Sequence, residues 1–190
     1  TEHITELVGT AFSESTVRHL LDMTAAPKYG EDYADPSADF WVEAAVVGWR
    51  PALRTKDSAT NLLAYAATLT ETEQSNGEKY HYRTVLTNVL GMILERAGTA
   101  SLQEQLQRDI WQKLGPQQDA AIVVDSTGFP YVGAGMNACA RDLARFGQMI
   151  IQQGEYNGEQ IVPRQWINDT RYADDHARIN FAASDYGAMM

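Results

Sequence analysis

Cysteine is nearly absent from this 190-residue chain, and Cys139 stands alone. No internal disulfide can form, and a four-thiolate metal site is excluded. No apolar run approaches membrane-spanning length, and no signal-peptide pattern is visible. Positive charge is short: 15 Lys and Arg against 25 Asp and Glu leave a formal net charge of −10. Such a chain repels a phosphate backbone, which argues against nucleic acid as a partner. Solubility is enough to explain the charge itself. Internal repeats and low-complexity segments are missing too. What remains is an ordinary globular composition, 44% hydrophobic and 21% charged, sufficient for one sizeable core.

One stretch organises the chain. Asn76-Gly77 is a turn signal. Three close-set rings follow, Tyr80, His81 and Tyr82. The run after them is apolar at Val85, Leu86, Val89, Leu90, Ile93 and Leu94. Steps of three and four place these on one stripe of a helix, which Gly98 ends as a glycine just past its last turn. Tyr82 therefore sits where a loop enters a buried helix.

Around it, Thr16 is expected to cap a helix over residues 17–23, in which His19 packs or caps. Residues 27–57 read as an irregular, aromatic and acidic region, broken by Pro27, Gly30, Pro36, Gly48 and Pro51. Their acidic spacing does not match a calcium-binding EF-hand loop. Asp57 or Ser58 is expected to cap a helix through about Leu69. Ser101 caps another that Gly115-Pro116 stops. Residues 121–125 are β-prone, and Gly128, Pro130, Gly133 and Gly135 make a loop. Asn137 is expected to cap a helix through Ile151. Asn157-Gly158 is a turn, and Pro163 opens a short helix with Trp166 and Ile167.

Tyr82-Arg83-Thr84, followed by Leu90-Gly91 and Leu94-Glu95-Arg96, resembles the second motif of serine β-lactamase-like hydrolases. That group holds class C β-lactamases, DD-peptidases, family VIII esterases and nylon-oligomer (6-aminohexanoate-dimer) hydrolases. Its pattern is Tyr-x-Asn, then a helix with Leu-Gly and a Glu. Thr84 stands at the Asn position and brings one hydroxyl where an amide has two donors. Residues 16–24 are similar to the family's Thr-x-Arg-His-Leu-Leu-x-x-Thr, with Ala25-Ala26 in place of Ser-Gly. The longest match runs from Gly133 through Arg141-Asp142-Leu143-Ala144-Arg145-Phe146-Gly147 to Ile161-Val162-Pro163.

The resemblance implies an α+β fold, an antiparallel sheet with packed helices plus a mostly helical subdomain. This piece is expected to be mostly helical with few short strands. Residues 1–15 would be a lead-in, 16–114 the helical subdomain, and 115–190 the return toward the sheet. The implied chemistry is amide or ester hydrolysis on a small molecule through an acyl-serine, without metal or cofactor. A Ser-x-x-Lys supplies the nucleophile, a tyrosine relays protons, and a Lys-Thr-Gly or His-x-Gly strand faces the substrate. Tyr82 is the catalytic tyrosine of that scheme. Thr84 and Tyr33, the latter in Glu31-Asp32-Tyr33, are the residues expected at or behind the substrate, and nearby acids suit a cationic amine end.

No serine here precedes a lysine by three residues. Gly-x-Ser-x-Gly and Lys-Thr-Gly are absent, and none of His3, His19, His81 and His176 is followed by x-Gly. The nucleophile is therefore expected upstream of Thr1 and the third motif beyond Met190, which makes the chain an internal piece, inactive alone. Tyr80 reads as core and His81 as exposed or behind the site. Cys139 has no evident base, and His176 has neither a serine elbow nor further zinc ligands. Thr84 and Ala25-Ala26 leave a different class open, a non-catalytic binding protein on the same fold. Compartment, substrate identity and oligomeric state are not legible.

Overall fold

The computed structural model describes residues 2–51 and 58–171. His176, with Asp174 and Asp175, lies outside them, as does Asp57. Helices dominate. In order they are α1 (Val17–Leu21), α2 (Asp39–Val46), α3 (Leu62–Thr68), α4 (Thr84–Ala97), α5 (Leu102–Leu106), α6 (Ala140–Ile151) and α7 (Arg164–Arg171). A 3-10 turn (Thr5–Leu7) precedes them, and there are two antiparallel pairs of two-residue strands: β1 (Ala121–Ile122) with β2 (Met136–Asn137), and β3 (Glu155–Tyr156) with β4 (Glu159–Gln160).

α4 is the central element, with α1, α2, α3 and α5 packed on it. Its stripe behaves as the spacing demands: Val85, Leu86, Val89 and Leu90 are buried, against Phe12, Leu20, Tyr29, Phe40 and Tyr65 among others. Leu94, at the same period, is 55% exposed. It lines an apolar groove of about 790 Å³ with Leu102, Leu106, Trp111, Val132 and Met136.

Local chemistry sets the element ends. Thr16 caps α1 and His19 answers it. The Thr16 hydroxyl accepts from the His19 backbone N–H at 3.1 Å, while the Thr16 N–H reaches the His19 ring at 3.3 Å. His19 is thus a reciprocal cap. Ser101 and Glu104 form the same box at α5. The helical run then changes pitch, through a π turn (Gln107–Trp111) and a 3-10 turn (Gln112–Leu114), to a left-handed Gly115. Asn157 and Gly158, both at positive φ, turn β3 into β4.

Several expectations need correction. Residues 27–57 are not irregular throughout: they contain α2, whose Phe40, Glu43 and Ala44 are buried. The cap of α3 is Asn61, whose side chain accepts from Ala64 N–H at 2.8 Å, and not Asp57 or Ser58. Gly98 closes α4 in extended backbone, φ −85° and ψ 178°. The Gln105 amide packs over it, so a Cβ there would displace the end of that side chain. Asn137 belongs to β2, and Cys139 occupies the cap position of α6. The Cys139 thiol donates to Asp142 at 3.0 Å, and Asp142 also accepts the N–H groups of Gln117 and Gln118. One carboxylate so joins the start of α6 to the end of the α5 region.

Candidate active site

Arg83 fixes the backbone on which Tyr82 is displayed. It is extended, at φ −147° and ψ 115°, so neighbouring side chains leave in opposite directions. Arg83 turns inward and is fully buried, whereas Tyr82 is 40% exposed. The guanidinium donates to the carbonyls of Ala25 at 3.1 Å and His81 at 3.0 Å and pairs with Glu73. Burial pulls its pKa down while Glu73 opposes that. Burial also works against the Glu73 carboxylate, yet hydrogen bonding from His81 and the charge of Arg83 hold it below the usual range. Ala25 and Ala26 are wholly buried, and their carbonyls accept from Arg83 and from Glu73 N–H. His81 lies beside Glu73 at 2.7 Å. Tyr80 is half-buried and packs against the core.

Thr84 opens α4, where backbone N–H groups lack helical partners. Glu31 supplies the acceptor: Oε2 takes Thr84 N–H at 2.7 Å and Oε1 takes the Thr84 hydroxyl at 2.6 Å. A carboxylate at a helix N-terminus also suits the helix dipole. The same Oε1 accepts the Tyr33 hydroxyl at 2.7 Å. Tyr33 is exposed on one side and meets Phe40 and Trp41 edge-on at 4.9 and 6.4 Å. The bond to Glu31 is the main cause of its raised pKa, followed by burial, the Glu31 charge and nearby Tyr82. Thr84 and Tyr33 thus share Glu31, and Tyr82 lies near enough to Tyr33 for its charge to be felt there. Thr84 itself is buried and spends its hydroxyl on Glu31.

A second layer lies behind. Glu43, on α2, is fully buried and accepts from the Tyr29 hydroxyl at 2.5 Å and the Asn88 amide at 2.7 Å. Asn88 Oδ1 accepts Gly133 N–H at 3.0 Å. Tyr131 is wholly buried, and its hydroxyl has no hydrogen-bond partner among the described residues. Burial raises its pKa, helped by Glu43, Glu31, Tyr33 and Tyr82. Sequence reasoning missed Asn88, Tyr131 and the burial of Glu43. The available signals were a polar Asn88 inside the apolar stripe of α4 and Glu43 inside the run Phe40-Trp41-Val42-Glu43-Ala44.

The loop acids differ among themselves. Glu31 accepts from both Thr84 and Tyr33. Asp32 and Asp35 are exposed and close local turns, accepting from Ala34 N–H at 2.9 Å and from Ser37 N–H at 2.8 Å. Hydrogen bonds from Ser37 lower the Asp35 pKa. Among the described residues, no three His, Cys, Asp or Glu side chains are placed to hold a metal ion, and no helix is long and apolar enough to cross a membrane.

A model of the Beta-lactamase family matches residues 1–188. The chain belongs to that family. Over 167 residues this beta-lactamase-family chain is 34% identical to the 6-aminohexanoate-dimer hydrolase of Paenarthrobacter ureafaciens, covering 88% of the chain and 42% of the relative. A Bacillus anthracis structure, provisionally assigned as a 6-aminohexanoate-dimer hydrolase, superposes with a TM-score of 0.85 at 27% identity, over 98% of this chain and 49% of that one. The octameric penicillin-binding protein homologue from Pyrococcus abyssi gives a TM-score of 0.62 at 18% identity, over 98% of this chain and 45% of that one, a likeness of fold. The fold is β-lactamase/transpeptidase-like, and the chain spans about half the length of the relatives it matches.

Proposed function

We propose that this chain is part of a serine hydrolase that cleaves a small amide or ester through an acyl-serine, closer to nylon-oligomer hydrolases and esterases than to antibiotic-hydrolysing enzymes. The observation that carries the reading is Tyr82: an exposed phenol on a backbone locked by buried Arg83, at the mouth of α4, beside Tyr33. Relatedness to 6-aminohexanoate-dimer hydrolase supports the substrate class. In this reading residues 16–114 form the helical wall, 115–190 return toward a sheet subdomain, and the serine comes from sequence preceding Thr1.

Tyr82 takes the proton of the serine hydroxyl as its oxygen attacks the substrate carbonyl. It then passes that proton to the departing amine or alcohol, leaving the acyl-serine. Water attacks the acyl carbon, Tyr82 receives its proton, and the serine oxygen recovers one as the acid leaves. A free phenol titrates at ~10, so a lysine ammonium beside it is needed for the phenolate to form near neutrality. Tyr33 contacts the substrate, and Thr84 acts from behind by holding Glu31. No metal or cofactor enters these steps.

The test is Tyr82→Phe in the full-length protein, assayed on ester and amide substrates. The expected loss is about 10²–10⁴-fold in kcat with an unchanged circular dichroism spectrum. Wild-type rates would refute the reading. One feature favours the rival, a non-catalytic binding protein: the hydroxyl of Thr84 faces Glu31 and not open space. That rival predicts binding of substrate-like amides with no turnover in the unsubstituted protein.

A further inference from the structure

Glu43 takes no part in the proton relay, yet it is the most deeply placed carboxylate behind the site. None of its surface reaches solvent, and its carboxylate accepts hydrogen bonds from a phenol and an amide, Tyr29 and Asn88. From Asn88 the connection continues to Gly133 N–H at 3.0 Å. The Gly133 backbone lies directly on Thr84: a Cβ there would come within 2.9 Å of the Thr84 carbonyl oxygen and would overlap its Cγ2. Thr84 in turn binds Glu31, which binds Tyr33. One line of contacts therefore runs from α2 through α4 and the loop between β1 and β2 to the helix start beside Tyr82.

We infer that Glu43 is a positioning residue for the Tyr82 site: its carboxylate orients the Asn88 amide, which holds the Gly133 loop against Thr84 and so fixes the setting of Tyr82 and Tyr33. The inference rests on Tyr82 being the working tyrosine.

An asparagine amide has two faces, and here a single orientation serves both neighbours. Nδ2 must meet an acceptor, Glu43, and Oδ1 must meet a donor, Gly133 N–H. An ionised carboxylate accepts from both Tyr29 and Asn88. A neutral carboxylic acid carries a proton that a neighbour must accept: the Tyr29 oxygen can take it while the other carboxyl oxygen still faces Asn88, so protonation re-sorts the bonds that anchor the Asn88 amide. Burial pushes the Glu43 carboxyl up to about 7; bonds from Tyr29 and Asn88 pull the other way, and Glu31 and Asp39 add to the rise. The phenols of Tyr29, Tyr65 and Tyr131 each sense the Glu43 charge. The change between the two patterns thus falls near neutral pH.

The test uses the full-length protein and three readouts. Glu43→Gln imposes the neutral, donor-bearing form at every pH. Expected are a kcat about tenfold lower at about pH 8, a KM within about twofold of wild type, and loss of the step in kcat near neutrality. The double variant Glu43→Gln/Asn88→Asp exchanges donor and acceptor: the new amide gives to the new carboxylate, which still accepts from Gly133, while Tyr29 still finds a carbonyl. It is expected to regain most of kcat. In the unsubstituted protein the Gly133 amide resonance should shift with the same midpoint as kcat. A wild-type kcat profile in Glu43→Gln, a double variant no faster than the single one, or a Gly133 resonance blind to that midpoint each overturns the inference. Failure of the functional reading looks different, since Tyr82→Phe would then keep full rate while Gly133 still reported on Glu43.

Discussion

Thr84 gives both its backbone N–H and its hydroxyl to the two oxygens of Glu31, at 2.7 and 2.6 Å. A carboxylate from a distant loop thereby caps the helix that carries the site, and the same carboxylate tethers Tyr33. Thr84→Val removes the hydroxyl and keeps the N–H bond. It is expected to cost about 1 kcal/mol of stability. Glu31→Gln puts a donor against one of the donors it now accepts. The two changes share one interaction, so a double-mutant cycle by urea unfolding should show a coupling of about 1 kcal/mol. Additive losses would mean that the pair is not coupled. In the full-length protein Glu31→Gln should raise KM more than it lowers kcat, because the bond that tethers Tyr33 is weakened, whereas Thr84→Val leaves that bond in place.

Gly133→Ala tests how closely the β1–β2 loop rests on α4. The added methyl meets the Thr84 carbonyl, a backbone atom that cannot swing aside. Overpacking of this kind costs about 1–3 kcal/mol. Gly91→Ala on α4 is the comparison. There the added methyl meets side-chain ends, Leu102 Cδ2 at 3.1 Å and Phe129 Cζ at 3.2 Å, besides an overlapped Val132 methyl within 2.6 Å. Side-chain ends can shift, so Gly133→Ala should show the lower melting temperature of the two. The reverse order would mean that the loop yields more easily than the helix packing.

The stripe of α4 was legible because period 3.6 is a strong local signal, and Thr16 and Ser101 because caps are local chemistry. α2 was hidden by the prolines and glycines on either side of it. Asn61 was passed over because several polar residues before Leu62 are equivalent on sequence alone. Tyr82, Thr84 and Tyr33 were picked out by motif, but Glu31 as the common partner of Thr84 and Tyr33 lies 53 positions before Thr84 and depends on tertiary packing. The pairing of Glu43 with Asn88, 45 positions apart, is of the same kind: two polar residues in apolar runs announce burial without announcing each other.

Asp32 and Asp35 are exposed, which places their carboxylates where a cationic substrate end could meet them. Both lie in the loop of Tyr33. If this loop reads an amine, Asp32→Asn/Asp35→Asn should reduce the kcat/KM ratio of an amine-terminated over a neutral amide by about threefold to tenfold, since exposed charges act weakly through water. The preference should also shrink with added salt. An unchanged ratio removes both acids from recognition.

Two carboxylates should pull the pH dependence of stability in opposite directions. Glu43 is raised by burial from 4.5 to about 7, so the folded state holds its proton more tightly than the unfolded chain does. Its contribution is complete below the ordinary value and is lost as pH rises through about 7. Asp142 is held down from 3.8 to about 2, first by the Cys139 thiol and then by the N–H groups of Gln117 and Gln118 and by Arg145. Its contribution is present above 3.8 and is lost as pH falls through about 2. Urea unfolding across pH should therefore show stability declining between about 4.5 and 7 in the wild type and a flatter curve in Glu43→Gln. At about pH 8 Glu43→Gln should be the more stable protein, by on the order of 1–3 kcal/mol, because a buried charge with no cationic partner among the described residues is gone. Asp142→Asn should instead be less stable at neutral pH and lose the acid-side dependence. Slower turnover in a more stable Glu43→Gln would separate positioning from simple structural support, which predicts that rate and stability fall together.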